Sequence, residues 1–350
     1  MISFILFIII LGTIVLVHEF GHFIFSKLFG VYVYEYSIGM GKKIWSKKPK
    51  NSETEYSIRI FPIGGFCKLA GEEGEDGDAS VPEDRKLYKK SFIQRFLIFF
   101  MGPGFNFLLA IVVLFITGLI FGGNISTLEI ADIPKDYPAY QSGFREGDTI
   151  IAINGEKVKT WTQARLTIAM AEAGSTIGFK IKTEDGNIET IDVTPIEETT
   201  EEGTTSYVYG VSCKNYNVKG LVGGLKYTLA ESRNIFLSMF TTLKYLFTGG
   251  VSVNDLSGPV GIYEVVDQQA SLGVSNLLYL LAYLSINVGV MNLIPFPAFD
   301  GGHILFLLIE KIRRKPVPSN VEATITTIGF ILLIILMIYV TSHDIFKLVT

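Results

Sequence analysis

Two cysteines in 350 residues, Cys67 and Cys213, are too few for a disulfide framework or a cysteine-built metal knuckle. Charge is scarce as well: Asp, Glu, Lys and Arg make up 18% of the chain, against about a quarter in ordinary soluble domains. The net charge is −4 and no motif of nucleic-acid recognition is present, so nucleic acid is excluded as a partner. Histidine is rarer still, at four residues. What the chain has in quantity is apolar mass. Hydrophobic residues make up 49% and the mean hydropathy is +0.40, the profile of a multi-pass membrane protein.

Four segments are apolar and long enough to cross roughly 30 Å of hydrocarbon. They are residues 2–29, 92–121, 276–310 with an interruption, and 325–341. The first has no basic stretch after Met1 and no small-residue cleavage pattern, so it is expected to remain as a span and not to be removed as a signal peptide. Between the first two spans lie Lys42, Lys43, Lys47, Lys48, Lys50, Arg85, Lys86, Lys89 and Lys90; before the last lie Lys311, Arg313, Arg314 and Lys315. Positive charge marks the cytoplasmic side, so both termini and the long segment 122–275 are expected outside the cell membrane. Cys67 and Cys213 then lie on opposite sides and no disulfide joins them.

The expected plan is a first transmembrane helix (1–30), a cytoplasmic-side loop (31–91), a second helix (92–121), an external α+β domain (122–212), an external amphipathic helix and linker (213–275), a third, broken span (276–311), and a cytoplasmic loop with the fourth helix (312–350). In the external domain, apolar runs flank Asn154-Gly155, a hairpin signal, and Glu184-Asp185-Gly186-Asn187 marks a second turn. The pattern predicts a helix over 161–173, strands near 177–183, 188–194 and 207–211, and a solvated acidic turn over 196–206. The run Ser142-Gly143-Phe144-Arg145-Glu146-Gly147-Asp148 continuing to Asn154-Gly155 resembles the core of circularly permuted bacterial PDZ domains. That likeness implies a peptide ligand added to a sheet edge beside the helix, with Gly210 and Val211 as weak candidates for its loop; a folded spacer is the alternative. Leu221, Leu225, Leu229, Ile235, Phe236, Met239, Phe240, Leu243, Leu246 and Phe247 predict an amphipathic helix over 219–247, lying at the membrane surface or packing on the external domain.

The chemistry is concentrated at His18-Glu19-Phe20-Gly21-His22. On a helix, the four-residue spacing puts both imidazoles on one face, within reach of one metal ion, and Glu19 next to a metal-bound water. The motif lies at the end of an apolar run, where two imidazoles and a carboxylate are costly unless they coordinate or pair. A third ligand is needed. Asn292-Leu293-Ile294-Pro295-Phe296-Pro297-Ala298-Phe299-Asp300-Gly301-Gly302-His303 offers two, Asp300 and His303, behind prolines that forbid regular helix.

These two motifs together resemble the site-2 protease family of intramembrane zinc metalloproteases, and within it the RseP/RasP (regulator of sigma-E protease) group with one PDZ domain. The likeness extends to Gly64-Gly65-Phe66-Cys67-Lys68-Leu69-Ala70-Gly71-Glu72, Gly102-Pro103-Gly104-Phe105-Asn106 and Ser257-Gly258-Pro259-Val260-Gly261. It implies that His18, His22 and Asp300 hold Zn2+ and that Glu19 is the general base. Asn292, Pro295 and Pro297 are implied to line the substrate cleft, and Gly64, Gly65 and Phe66 to bind substrate from a membrane-dipping β-like loop, Gly64 to Gly71, that reaches toward the active site. The fold class expected is a multi-pass α-helical membrane protein with four transmembrane helices, an extracytoplasmic α+β PDZ-like domain and that membrane-associated loop. Expected partners are membrane lipid, single-pass transmembrane substrates such as pre-cleaved anti-sigma factors or signal-peptide remnants, and a peptide at the PDZ-like domain. A non-catalytic scaffold is disfavoured because zinc binding alone does not require Glu19, and a metal transporter because the polar groups sit at one site in two spans.

Overall fold

The computed structural model describes residues 2–72, 80–199, 205–250 and 257–349. Its helices and strands are, in chain order, α1 (Ile2–Leu28), β1 (Val33–Lys47), β2 (Glu55–Leu69), α2 (Phe92–Ile120), β3 (Gly123–Ile130), α3 (Pro138–Gln141), β4 (Thr149–Ile153), β5 (Glu156–Lys157), α4 (Trp161–Ala169), β6 (Ile177–Lys182), β7 (Ile188–Val193), β8 (Ile196–Thr199), β9 (Thr205–Val208), β10 (Cys213–Val218), α5 (Gly220–Thr248), α6 (Pro259–Ser271), α7 (Val274–Leu293), α8 (Asp300–Arg313) and α9 (Ser319–Val349). The chain divides into two units, Met1–Val113 with Leu256–Thr350, and Leu114–Asp255.

Among the described residues four helices are long and apolar enough to cross a membrane: Ile2–Leu28, Phe92–Ile120, Val274–Leu293 and Asn320–Lys347. Helices suit that environment because they satisfy their backbone groups internally. In the first unit, Phe7, Ile10 and Ile14 of α1 pack against Val266 of α6 and Leu280 of α7. A second cluster joins Val31, Val33 and Leu69 to Ile98 and Phe99 of α2 and Leu307 of α8. Arg95 of α2 also pairs with Glu310 of α8 at 2.7 Å.

The segment after α1 is a β-sheet of long, bent strands. Positive φ at Gly39 (83°) and Gly64 (91°) lets β1 and β2 each fold back on themselves, a conformation that glycine reaches without a Cβ clash. Residues 33–38 therefore pair with 65–69 on one side and 55–58 on the other, while 43–47 pair with 56–59. Stretch 65–69 is thus an edge, and among the described residues no strand pairs with its outer side. Tyr36 fastens the sheet to α1 by donating from its hydroxyl to the Leu16 carbonyl at 2.9 Å.

The third span is broken where the sequence predicts. Ile294 and Phe296 each precede a proline, which drives them out of helical backbone, and Ile294 caps α7 in extended conformation (φ −63°, ψ 137°). The chain then doubles back so closely that a Cβ on Gly301 would lie 2.2 Å from the Ile294 carbonyl oxygen, and one on Gly302 2.4 Å from that of Phe296. With 14 residues, α8 is too short to cross a membrane alone.

The second unit is an antiparallel sheet of order β10-β3-β4-β6-β7, with β5 on β4, around Phe144, Ile150, Ile153, Ile177, Phe179 and Ile181. Asn154 (φ 48°) and Gly155 (φ 81°) form the predicted tight turn. Four expectations need correction. The helix ends at Ala169 and not at 173. Part of the acidic segment, Ile196–Thr199, is a strand paired with Thr205–Val208, so the strand predicted at 207–211 starts and stops earlier. Residues 200–204 of that segment and the linker 251–256 lie outside the described residues. The fourth correction is β10, whose polar sequence Cys-Lys-Asn-Tyr-Asn-Val hid its pairing with β3.

Helix α5 packs on its own unit through its small and polar side. Tyr227, Thr228, Glu231, Ile235 and Ser238 are buried, and Thr241 accepts from Gln163 Nε2 of α4 at 2.9 Å. Its outward stripe of Leu221, Leu225, Leu229, Phe236, Phe240 and Phe247 is exposed.

Candidate metal centre

Helix α1 presents His18 and His22 one turn apart, both 9% exposed. Asp300 stands in the first turn of α8, where its charge is favoured by the helix dipole. The break before α8 brings it to the two rings: His18 Nε2 lies 3.1 Å from Asp300 Oδ2 and His22 Nε2 3.3 Å from Oδ1. The two Nε2 atoms are 3.2 Å apart. Ligands at about 2.0–2.1 Å from a tetrahedral zinc are separated by about 3.3 Å, so the three donors form one face of that coordination polyhedron. Among the described residues this is the one cluster of three or more His, Cys, Asp or Glu side chains close enough to share a metal ion. The donor set, two imidazoles and a carboxylate with a fourth position left for water, fits catalytic zinc.

Each imidazole needs its other nitrogen held. His22 Nδ1 lies 2.8 Å from the Ile98 carbonyl of α2, which accepts its proton and leaves Nε2 bare for metal. His18 Nδ1 faces the amide of Asn106, also on α2, at 3.3 Å. Asn106 is fully buried, and its Oδ1 has no partner among the described residues when Nδ2 faces the ring. Turning the amide so that Oδ1 accepts from His18 Nδ1–H satisfies that oxygen and frees His18 Nε2 for zinc. The Asn106 carbonyl is itself fixed by the Ser285 hydroxyl of α7 at 2.8 Å. Replacing Asn106 by Leu is therefore expected to weaken zinc binding about 10- to 100-fold. Asn106→Asp, which keeps an acceptor, should retain affinity, and competition with a chelator of known affinity measures both.

The helices approach this closely because of two glycines. A Cβ on Gly21 would lie 2.0 Å from the Met101 carbonyl oxygen, and one on Gly102 would lie 2.2 Å from His22 Nε2.

The donors line a cavity of about 410 Å³ with Glu19, Phe66, Cys67, Lys68, Leu69, Glu72, Ile98, Phe99, Asn292, Ala298, Phe299 and His303. Glu19 accepts a hydrogen bond from the Cys67 backbone N–H. Gly65 lies against it, with room for no more than hydrogen: a Cβ would be 3.4 Å from Glu19 Cγ and 2.8 Å from the Ser37 carbonyl oxygen. Of the residues implied for substrate binding, Phe66 and Asn292 line the cavity and Gly65 adjoins it. Gly64 instead turns the chain beside Met40, and Pro295 and Pro297 do not line it; Pro297 packs against Gly329 of α9. His303 lines the wall but stacks flat on Phe99 (4.8 Å between centroids, 9° between planes), with Nδ1 3.4 Å from Glu322, so it is held out of the donor triangle.

Cys67 is not among the donors close enough to share the ion, and burial, reinforced by the nearby Glu19, pushes its thiol up. Burial likewise raises the Glu72 carboxyl. Sequence reasoning assigned no role to Ile98, Asn106 or Glu72. The Gly64-to-Glu72 and Gly102-to-Asn106 runs carried the available signals, but a carbonyl partner such as that of Ile98 leaves no trace in residue type.

A helix-borne histidine pair with a carboxylate from the start of α8 within reach, and a glutamate beside them, is the donor set that a zinc peptidase centre requires, and it lies among membrane-length helices. The chain belongs to peptidase family M50, the site-2 protease family, whose model matches residues 6–336. A relative in Clostridium perfringens, provisionally named a zinc metalloprotease, is 37% identical over 335 residues, covering 95% of this chain and 96% of that one. The zinc metalloprotease RasP of Geobacillus kaustophilus is 32% identical over 419 residues, covering 99% and 98%. A solved PDZ domain of an SdrC-like protein from Listeria innocua is 20% identical, covers 26% of this chain and 96% of that one, and has a TM-score of 0.22. The chain is accordingly a zinc-dependent membrane protease of the site-2 type.

Proposed function

We propose that this protease cleaves transmembrane segments of single-pass proteins close to the cytoplasmic face, with His18, His22 and Asp300 as zinc ligands and Glu19 as general base. The observation that carries this reading is that the donor triangle and Glu19 share one cavity with the outer edge of strand 65–69. A helical substrate hides its peptide bonds in its own hydrogen bonds, so it must unwind and find new backbone partners. The unpaired edge of residues 65–69 offers them by strand addition. Asn292 already donates from Nδ2 to the Val288 carbonyl at 3.1 Å, which leaves Oδ1 to accept a substrate N–H. His18, His22 and Asp300 would hold zinc, which would supply Lewis acidity toward a water and the scissile carbonyl. Glu19 takes the proton from the attacking water on its carboxylate and passes it to the leaving amine.

Sidedness follows from the lysines and arginines of segments 31–91 and 312–318, which belong in the cytoplasm; both termini and the second unit are then outside. The substrates best matched are single-pass proteins already shortened on the outside, such as anti-sigma factors, and leftover signal peptides. The second unit, as a PDZ-like domain, admits only such shortened chains or holds their tails, while α5 lays its exposed apolar stripe on lipid. The test is cleavage in reconstituted vesicles of a single-span substrate labelled at both ends, with the cut mapped by mass spectrometry. A cut in the cytoplasmic half of the span supports the proposal; cleavage confined to extramembrane loops defeats it.

A further inference from the structure

N–H groups alternate in direction along strand 65–69, and those of Cys67 and Leu69, with Gly65 in the same phase, face away from the paired residues 33–38. Two of the three meet carboxylates: Cys67 N–H donates to Glu19, and Leu69 N–H to Glu72 Oε2 at 3.4 Å. Glu72 stands where the metal cavity adjoins a second cavity of about 460 Å³, and with Phe99 and His303 it lines both. Among the described residues its carboxyl takes that one long contact from the Leu69 N–H, and its side chain lines both cavities. We infer that Glu72 is a specificity-determining residue, selecting a substrate side chain that carries an O–H or N–H donor two residues from the scissile peptide, on the Ala70 side.

The register follows from strand geometry and rests on the edge-strand reading above. Residues on one strand advance by about 3.3 Å each, so the two carboxylates are about two residues apart along any peptide laid on this edge. With the scissile carbonyl at Glu19, the side chain reaching Glu72 belongs to a residue two positions away. A substrate carbonyl that takes over the Leu69 N–H strips Glu72 of its hydrogen bond, and only a donor-bearing side chain replaces it. An aliphatic residue there covers the Glu72 carboxyl without offering it a hydrogen bond, and a polar group left without a partner carries a penalty.

The experiment uses the full-length zinc enzyme and a panel of single-span substrates in which each of the four residues on either side of the cleaved bond is in turn Leu, Ser, Asn or Lys. At the position two residues away, kcat/KM for Ser, Asn or Lys is expected to exceed that for Leu by about 10- to 100-fold. Glu72→Leu should abolish or invert that preference while still cleaving the Leu substrate. Glu72→Gln should keep it for Ser and Asn and lose it for Lys, which separates neutral from cationic donors. The inference fails if wild type shows no preference at that position, if the preference survives Glu72→Leu, or if both variants lose zinc, which assigns Glu72 a structural role instead. A proline scan of the same substrates reads the edge-strand pairing independently: sensitivity at alternate positions supports it, and uniform sensitivity removes it whatever Glu72 does.

Discussion

Glu19→Gln should lower cleavage of a single-span substrate by about 10²- to 10⁴-fold, the usual contribution of a positioned general base, while bound zinc stays at the wild-type level. The amide is the same size as the carboxylate, so the close contact with Gly65 is preserved and the Cys67 N–H still finds an acceptor. What is lost is the ability to take a proton from water and return it to the leaving amine. The ligands are untouched, because Glu19 lies beside the donor triangle and is not part of it. Steady-state kcat/KM with metal analysis of the same sample decides the matter. Wild-type cleavage by a zinc-loaded variant would remove Glu19 from the mechanism, whereas loss of zinc would show it to be a ligand.

Asp300→Ala is expected to abolish cleavage through loss of the metal itself. Disturbing an outer partner of a zinc ligand typically costs 10- to 100-fold in affinity, and removing a ligand exceeds that. Without the carboxylate, His18 and His22 are left with solvent alone to complete the shell, and zinc should be lost on dialysis against a weak chelator. His303→Ala is the matched control. It removes a histidine from the same cavity three residues along α8, but the ring that disappears is stacked on Phe99 and turned to Glu322, so zinc should be retained. The opposite pair of outcomes, zinc kept in Asp300→Ala and lost in His303→Ala, would make His303 the third ligand.

Much of this site is legible in residue order because helices are periodic. The spacing of His18 and His22 places both rings on one face whatever surrounds them, and Pro295 and Pro297 break the third span by removing donors and restricting their neighbours. The alternation around Asn154-Gly155 specifies its turn in the same local way. A pairing between distant polar segments leaves no such pattern, which is why β10 escaped a reading based on hydrophobic alternation, while the acidic, Thr-rich composition of 196–199 hid β8. The implied cleft residues divide for a similar reason. Pro295 and Pro297 shape the backbone near the site, but their side chains go where the fold of α8 and α9 sends them, which for Pro297 is against Gly329.

By itself the sequence determines that His18 and His22 share one face of an apolar helix near the start of a chain with four membrane-length apolar segments, and it offers Asp300 or His303 as a third donor. Those are properties of short stretches, set by spacing and by apolar length. Only the tertiary structure decides that Asp300 comes within 3.3 Å of both rings while His303 is held on Phe99. It also decides that Ile98 and Asn106 hold the outer imidazole nitrogens, and that the unpaired edge of 65–69, with Glu72 beside it, faces the same cavity. The reason is distance along the chain. Close approach of α1 and α2 depends on glycines at 21 and 102, and the tight turn into α8 on those at 301 and 302 against the backbone of 293–297, and the first of these fits exists only once the helices have packed.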